Sequence, residues 1–288
     1  MPPQPPPCST TPVTRHKTRR RQVTQPPMSE ARRYQQLRAH LSYLKLNNAA
    51  EALPRILDQG RAEQLSLTAA LERLLEIEVT ATEQRKLASR LRFACLPEPW
   101  TLADFDFSAQ PGVDEKLIRD LATLRFLDDA SNILLVGPPG VGKTMLAIAL
   151  ARAAAQAGHR VYFTTAADLA AKCHKAALEG RWTSIMRFFA GPRLLVIDEL
   201  GYLPLPGDGA SALFQVINHR YLKSSTILTT NVGIADWAGA FGDATVAAAM
   251  LDRLLHRAAV AGIDGPSYRL RAHQAHARNL SKGASAHA

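Results

Sequence analysis

Apolar residues follow two different spacings along the chain. Between about residues 29 and 95 they recur every three or four positions, as at Leu37, Leu41 and Leu44, which is the spacing of helices with one buried face. Beyond residue 113, short apolar runs alternate with helical segments. This alternation predicts an α/β fold with a parallel sheet covered by helices on both faces.

The first region predicts a small all-helical N-terminal domain of three to four helices over residues 29–95. Ser66 is a candidate N-cap for its second half, because its hydroxyl can accept a backbone N–H at a helix start. The end of the domain carries the basic residues Arg85, Lys86, Arg90 and Arg92. Such a face suits DNA phosphates, but a solvated helix surface explains it as well.

The second region contains four apolar runs that read as strands, at 133–136, 160–165, 194–199 and 226–231. A later helix places Met250, Leu251, Leu254 and Leu255 on one buried stripe. The alternating stretch 267–271 predicts a final strand.

Prolines and composition divide the 288 residues further. We expect a disordered Pro/Arg-rich extension over 1–28, a proline-containing linker over 96–112, the main α/β domain over 113–272 and a disordered tail over 273–288. Phe105 and Phe107, in the linker, are expected to pack on the domain that follows, although an entry segment at this place can also flank a bound base.

Charge and cysteine usage restrict the function classes. The net charge of +10 favours a polyanionic partner, nucleic acid first and a membrane surface second, although solubility alone can explain it. The cysteines Cys8, Cys95 and Cys173 are far apart, which argues against a disulfide framework or a zinc site. No apolar run approaches membrane-spanning length, so we expect a cytoplasmic protein without a membrane partner.

A phosphate-binding loop follows the first strand. It reads GPPGVGKT and consists of Gly137, Pro138, Pro139, Gly140, Val141, Gly142, Lys143 and Thr144. Glycines let the backbone turn its N–H groups around a phosphate, and the next helix presents its positive end to the same anion. Lys143 can reach the β- and γ-phosphates and Thr144 can bind Mg²⁺, so the loop predicts binding of ATP with Mg²⁺.

Polar residues end two later strands. Asp198 and Glu199 follow the apolar run LLVI, the Walker B pattern, in which Asp198 holds Mg²⁺ and Glu199 polarises the attacking water. Asn231 ends the strand ILTT and can contact that water or the γ-phosphate, or it can simply form a turn. We therefore predict an ATPase.

Three arginines are further candidates. Arg253 faces outward from its helix and is a candidate finger for the nucleotide of a neighbouring subunit, against the alternative of a solvated charge. Arg220 is a weaker rival for that role. Arg269 can sense the phosphates or lie on the surface.

Together, GPPGVGKT, FTTAADL, LLVIDELGYLPL, LTTN, LDRLLHRA and SYRLR, within residues 30–271, resemble the IstB family. These AAA+ ATPases are encoded beside the transposase in one group of bacterial insertion sequences. They are similar to the helicase loader DnaC and, more distantly, to the replication initiator DnaA. The resemblance implies a P-loop AAA+ three-layer sandwich after the helical domain.

The resemblance also implies a function. ATP-bound subunits would assemble as a homo-oligomer on duplex DNA and stimulate the cognate transposase. It assigns nucleotide and metal binding to Lys143 and Thr144. It assigns metal binding and hydrolysis to Asp198 and Glu199. It makes Asn231 the first sensor, Arg253 the trans finger and Arg269 a second sensor.

Two other functions use the same loop. A DnaC-like helicase loader shares the chemistry but needs a surface for a replicative helicase. A small-molecule kinase needs an acceptor pocket and a mobile lid, for which the sequence offers no clear segment, whereas Glu199 and Asn231 suit water as the nucleophile.

Overall fold

The computed structural model describes residues 28–201, 208–237, 241 and 244–270. The tail predicted at 273–288 and all but the last residue of the extension predicted at 1–28 lie outside these ranges. The helices are α1 (Glu30–Tyr43), α2 (Asn47–Ala62), α3 (Leu67–Ala94), α4 (Glu115–Leu121), α5 (Lys143–Gln156), α6 (Ala166–Leu178), α7 (Trp182–Ala190), α8 (Gly209–Arg220) and α9 (Ala244–Leu255). The strands are β1 (Asn132–Val136), β2 (Val161–Thr165), β3 (Leu194–Leu200), β4 (Ser225–Thr230) and β5 (Ala258–Gly262).

The chain divides into two compact units, one ending at Thr80 and the other beginning at Ala81, within α3. In the first unit, Ser66 Oγ accepts the backbone N–H of Ala69 at 3.2 Å, as an N-cap does. The carboxylate of Glu78 is buried and accepts the backbone N–H of Ala49 at 3.0 Å. This acidic group therefore stabilises the positive end of α2.

Only part of the predicted leucine pattern is buried in the first unit. Leu41 and Leu74 belong to its core, whereas Leu37, Leu44 and Leu71 are exposed. A unit of this size has a small core, so helical spacing alone overestimates how many apolar residues it buries.

The second unit is built on a five-stranded sheet with the order β2-β3-β4-β1-β5. All neighbouring strands are parallel, which confirms the predicted sheet. Successive residues of a strand point to opposite faces: Ile133 and Leu135 enter one core, and Leu134 enters the other. Helices cover both cores, so the unit is a three-layer sandwich.

The last strand differs from the prediction. Residues 268–270 are helical, so the strand predicted at 267–271 is wrong, and β5 instead pairs with β1. The backbone N–H of Tyr268 donates to Gly140 O at 2.9 Å, so contact with the glycine loop overrides the alternating pattern. The sequence of β5, AAVAG, has too few large apolar residues to stand out.

Within the described ranges, no helix is long and apolar enough to cross a membrane. Cys95 and Cys173 are free thiols, as expected for a chain without a disulfide framework, and Cys8 lies outside these ranges.

Candidate functional site

The glycine loop joins β1 to α5, and its glycines are required by close contacts. A Cβ at Gly137 would lie 2.1 Å from Ile263 O. Gly142 has φ +101°, and a Cβ there would lie 2.6 Å from Phe105 Cε2. The loop therefore needs glycine both for its conformation and for the space around it.

Lys143 is the first residue of α5 and its side chain folds over the loop. Its Nζ donates to Gly137 O at 2.7 Å and to Pro138 O at 2.8 Å. Burial lowers the pKa of Lys143, Asp198 opposes this shift, and Arg269 adds to it. A buried ammonium of this kind gains from an anionic ligand, which is what a phosphate at the loop would supply.

Thr144 and Asp198 connect the loop to the end of β3. Thr144 Oγ1 donates to Asp198 Oδ1 at 3.0 Å. The hydroxyl of Thr229, on β4, donates to the same oxygen and accepts the backbone N–H of Glu199 at 3.0 Å. A hydroxyl and a carboxylate are hard oxygen ligands, so this pair fits Mg²⁺ completed by water and phosphate oxygens.

Glu199 lies in an irregular part of β3. The register against β4 shifts between Ile197 and Leu200, and Glu199 has φ +61°. The left-handed region costs a residue with a Cβ about 1–2 kcal/mol. Such conformations concentrate at functional sites, where surrounding contacts hold them in place.

Asn231 follows the last residue of β4, and Thr230 is in register with Leu200 of β3 and Val136 of β1. Asn231 therefore lies at the edge where those strands end. Its Oδ1 is buried and, among the described residues, has no hydrogen-bond partner. Since buried polar atoms are normally paired, this oxygen is suited to a ligand or to water.

The three predicted arginines have different surroundings. Arg269 lines a cavity of about 320 Å³ together with Gly140, Gly142, Lys143 and Thr144. Arg253 lies outside that lining, with its guanidinium 4.9 Å from the ring centre of Phe214 and its Nε donating to Asn218 Oδ1 at 2.9 Å.

Arg220 is only 1% exposed. Its guanidinium donates to main-chain oxygens within its own fold. The alternative that Arg220 reaches a neighbouring subunit is therefore wrong, and the residue is part of the core.

Thr229 is missing from the sequence-based prediction of the site. The sequence places it in a predicted strand two residues before Asn231, and a hydroxyl so close to the predicted sensor is a usable signal. The linker also lines the cavity, through Trp100, Asp104, Phe105, Asp106 and Gln110. Phe105 is buried as expected, and its proximity to Gly142 explains how the linker reaches the loop.

Comparison with known proteins identifies the family. The family of IstB-like ATP-binding proteins matches residues 39–276. The chain belongs to the IstB family. A relative from insertion sequence IS21 of Pseudomonas aeruginosa, named for ATP binding, is 44% identical over 236 residues, 82% of this chain and 89% of its own length.

A second IstB relative comes from insertion sequence IS5376 of Geobacillus stearothermophilus. It is also named for ATP binding and is 42% identical, over 79% of this chain and 91% of its own length. Insertion-sequence ATP-binding proteins are thus what this chain is similar to along most of its length.

Solved structures agree with the IstB assignment at the level of fold. AMPPCP-bound DnaA from Aquifex aeolicus superimposes with a TM-score of 0.50 at 19% identity, over 59% of this chain and 51% of that one. The crystal structure of DnaI superimposes with a TM-score of 0.50 at 19% sequence identity. The match covers 58% of this chain and 92% of that one. The α/β unit therefore has the AAA+ fold.

Proposed function

We propose that this IstB-family protein is an ATPase that assembles on duplex DNA in its ATP form and helps its cognate transposase in DNA transposition. The observation that carries this is the hydrogen bond between Thr144 and Asp198. It joins the glycine loop to the acidic strand end at 3.0 Å, which supports a single site for a nucleotide and Mg²⁺.

The same residues can carry out hydrolysis. The backbone N–H groups of the loop and Lys143 hold the phosphates. Thr144 and Asp198 would hold Mg²⁺, which would supply positive charge next to the phosphate oxygens. The water oxygen would attack the γ-phosphorus as its bond to the bridging oxygen breaks and ADP leaves. Glu199 would accept a proton from that water, and Asn231 would orient it through Oδ1.

Two arginines are proposed to complete the site. Arg269 lines the cavity of its own subunit and would contact the phosphates as a second sensor. Arg253 lies outside that lining and would act on the nucleotide of the next subunit as a finger. Because the two arginines would come from different subunits, hydrolysis would require a homo-oligomer.

DNA and a transposase are the proposed partners. The net charge of +10 favours a polyanion, and the names of the relatives place them in insertion sequences. These names favour transposition over helicase loading. ATP and chromosomal DNA meet in the cytoplasm, where we expect the protein to act.

The test is assembly on duplex DNA with a non-hydrolysable ATP analogue, followed by sedimentation and electron microscopy. We expect the wild type to form large nucleotide-dependent complexes and Lys143→Ala to form none, because the loop loses its cation. Lys175→Ala, at an exposed position on α6, is the matched control and should assemble normally. Assembly of Lys143→Ala at the wild-type level would refute the nucleotide switch.

A further inference from the structure

Gln110 is buried without satisfying its side-chain amide. The residue is 2% exposed, and within the described part of the chain neither Nε2 nor Oε1 has a hydrogen-bond partner. A carboxamide can donate two hydrogen bonds and accept two. Leaving all of them unused in a buried position is unfavourable and rare.

Gln110 lies in the wall of the cavity that contains the glycine loop, with its amide atoms buried just behind that wall. Gln110 and Trp100 line it from the linker, and Lys143 and Thr144 line it from the start of α5. If the phosphates of a nucleotide occupy the loop, the part of this cavity lined by the linker can take the base. Aromatic and apolar walls with few polar groups are the usual form of such a pocket.

The backbone around Gln110 is closely packed. A Cβ added at Gly265, which has φ +140°, would lie 3.1 Å from Gln110 Nε2. A Cβ at Gly112 would lie 1.7 Å from Asp264 O. Glycine at these two positions lets the linker and the segment after β5 approach each other, so the amide has a defined place.

We propose that Gln110 selects the base of the bound nucleotide by hydrogen-bonding one edge of adenine. Its carbonyl would accept from the 6-amino group, and its N–H would donate to the neighbouring ring nitrogen. The terminal torsion of glutamine is broad, so the amide can present either its oxygen or its nitrogen to a base edge. Glutamine makes this paired contact with adenine in nucleic-acid recognition.

This inference rests on the proposed use of the site for ATP and adds base recognition to it. The test compares dissociation constants for ATP and for purine riboside triphosphate, which lacks the 6-amino group, on the full chain. We expect the wild type to bind ATP about tenfold more tightly than the analogue, since one hydrogen bond is lost. In Gln110→Met, which has similar volume and no amide, the ratio should approach one.

Gln156→Met is the matched control, because Gln156 is exposed at the end of α5, and it should keep the wild-type ratio. A packing role for Gln110 would weaken both ligands equally and leave the ratio unchanged in Gln110→Met, which would overturn the inference. A ratio near one in the wild type would overturn it as well, and that measurement needs no variant to fold.

The two proposals fail separately. If the ratio behaves as expected but no DNA assembly occurs, base recognition stands and the proposed function fails. If assembly requires ATP but the ratio is insensitive to Gln110, only the base-recognition proposal is lost.

Discussion

The two ends of the central sheet differ in how completely their polar groups are hydrogen-bonded within the fold. At the amino ends of β3 and β4, the guanidinium of Arg220 donates to Phe189 O at 2.8 Å, Pro192 O at 2.9 Å and Thr226 Oγ1 at 3.1 Å. Burial lowers the pKa of this guanidinium. Its N–H groups are nevertheless shared among nearby oxygens, and the contacts join α7, α8, β4 and the segment before β3.

At the carboxyl ends of the same strands, among the residues that the structure describes, one buried polar atom lacks a hydrogen-bond partner and one residue has a strained backbone. Asn231 Oδ1 has no partner within the described ranges, and Glu199 has a left-handed backbone. The buried side chain of Lys143 donates hydrogen bonds to carbonyl oxygens of the loop. These are the groups to which we assign contacts with ATP, its phosphates and the attacking water.

The difference separates polar residues that serve stability from polar residues that serve function. Arg220 is matched by its own fold, so its contribution is to stability. The Oδ1 of Asn231 and the left-handed backbone of Glu199 lower stability, which is typical of residues kept for function. Mutations at the two ends should therefore separate stability from activity.

Arg220→Met should give the largest change in stability. It removes the cation and leaves several buried oxygens without donors, so we expect the free energy of unfolding to fall by about 3–5 kcal/mol. Urea denaturation followed by circular dichroism measures this. Arg187→Met, at an exposed position on α7, is the control and should change stability by less than about 0.5 kcal/mol.

A loss below about 1 kcal/mol for Arg220→Met would mean that water or rearrangement satisfies those oxygens. The contrast between the two ends of the sheet would then disappear.

Glu199→Gln should have the opposite signature. The amide cannot accept the proton of the attacking water, so we expect the rate of ATP hydrolysis to fall by about a hundredfold or more. The side chain is exposed and keeps its shape, so the free energy of unfolding should not change. ATP binding should persist, which predicts long-lived complexes with DNA.

Hydrolysis by phosphate release and retention of DNA on filters measure these two effects in the same preparation. Glu98→Gln, an exposed glutamate in the linker, is the control. Rapid ATP hydrolysis by Glu199→Gln would show that Glu199 does not accept the proton of the attacking water.

The sequence predicts the fold and the ligand-binding loop well for physical reasons. Phosphate binding requires glycines and a lysine at fixed spacing, so Gly137 to Thr144 are recognisable locally. Buried parallel strands need continuous apolar runs, which places Asp198 at a strand end. Both features depend on neighbours in the chain, and the parallel sheet and the family were accordingly confirmed.

What the sequence does not predict depends on contacts between distant segments. Gln110 lines the cavity only because the linker packs against the segment after β5, and Thr229 matters through its contact with Asp198. Arg220 looks like any exposed cation until the fold surrounds it. The roles assigned to Asn231 and Arg253 stay predictions.

Glu199→Gly should give the smallest change in stability, and it tests the left-handed backbone of Glu199 most directly. Glycine adopts φ +61° without the clash that a Cβ causes, and this gain exceeds its higher entropy in the unfolded chain. We expect the free energy of unfolding to rise by about 0.5–1 kcal/mol while hydrolysis is lost. Glu199→Ala isolates the cause, because it removes the same carboxylate but keeps the Cβ and should not be stabilised. If both variants gain stability equally, charge at the strand end, and not backbone strain, lowers the stability of the site.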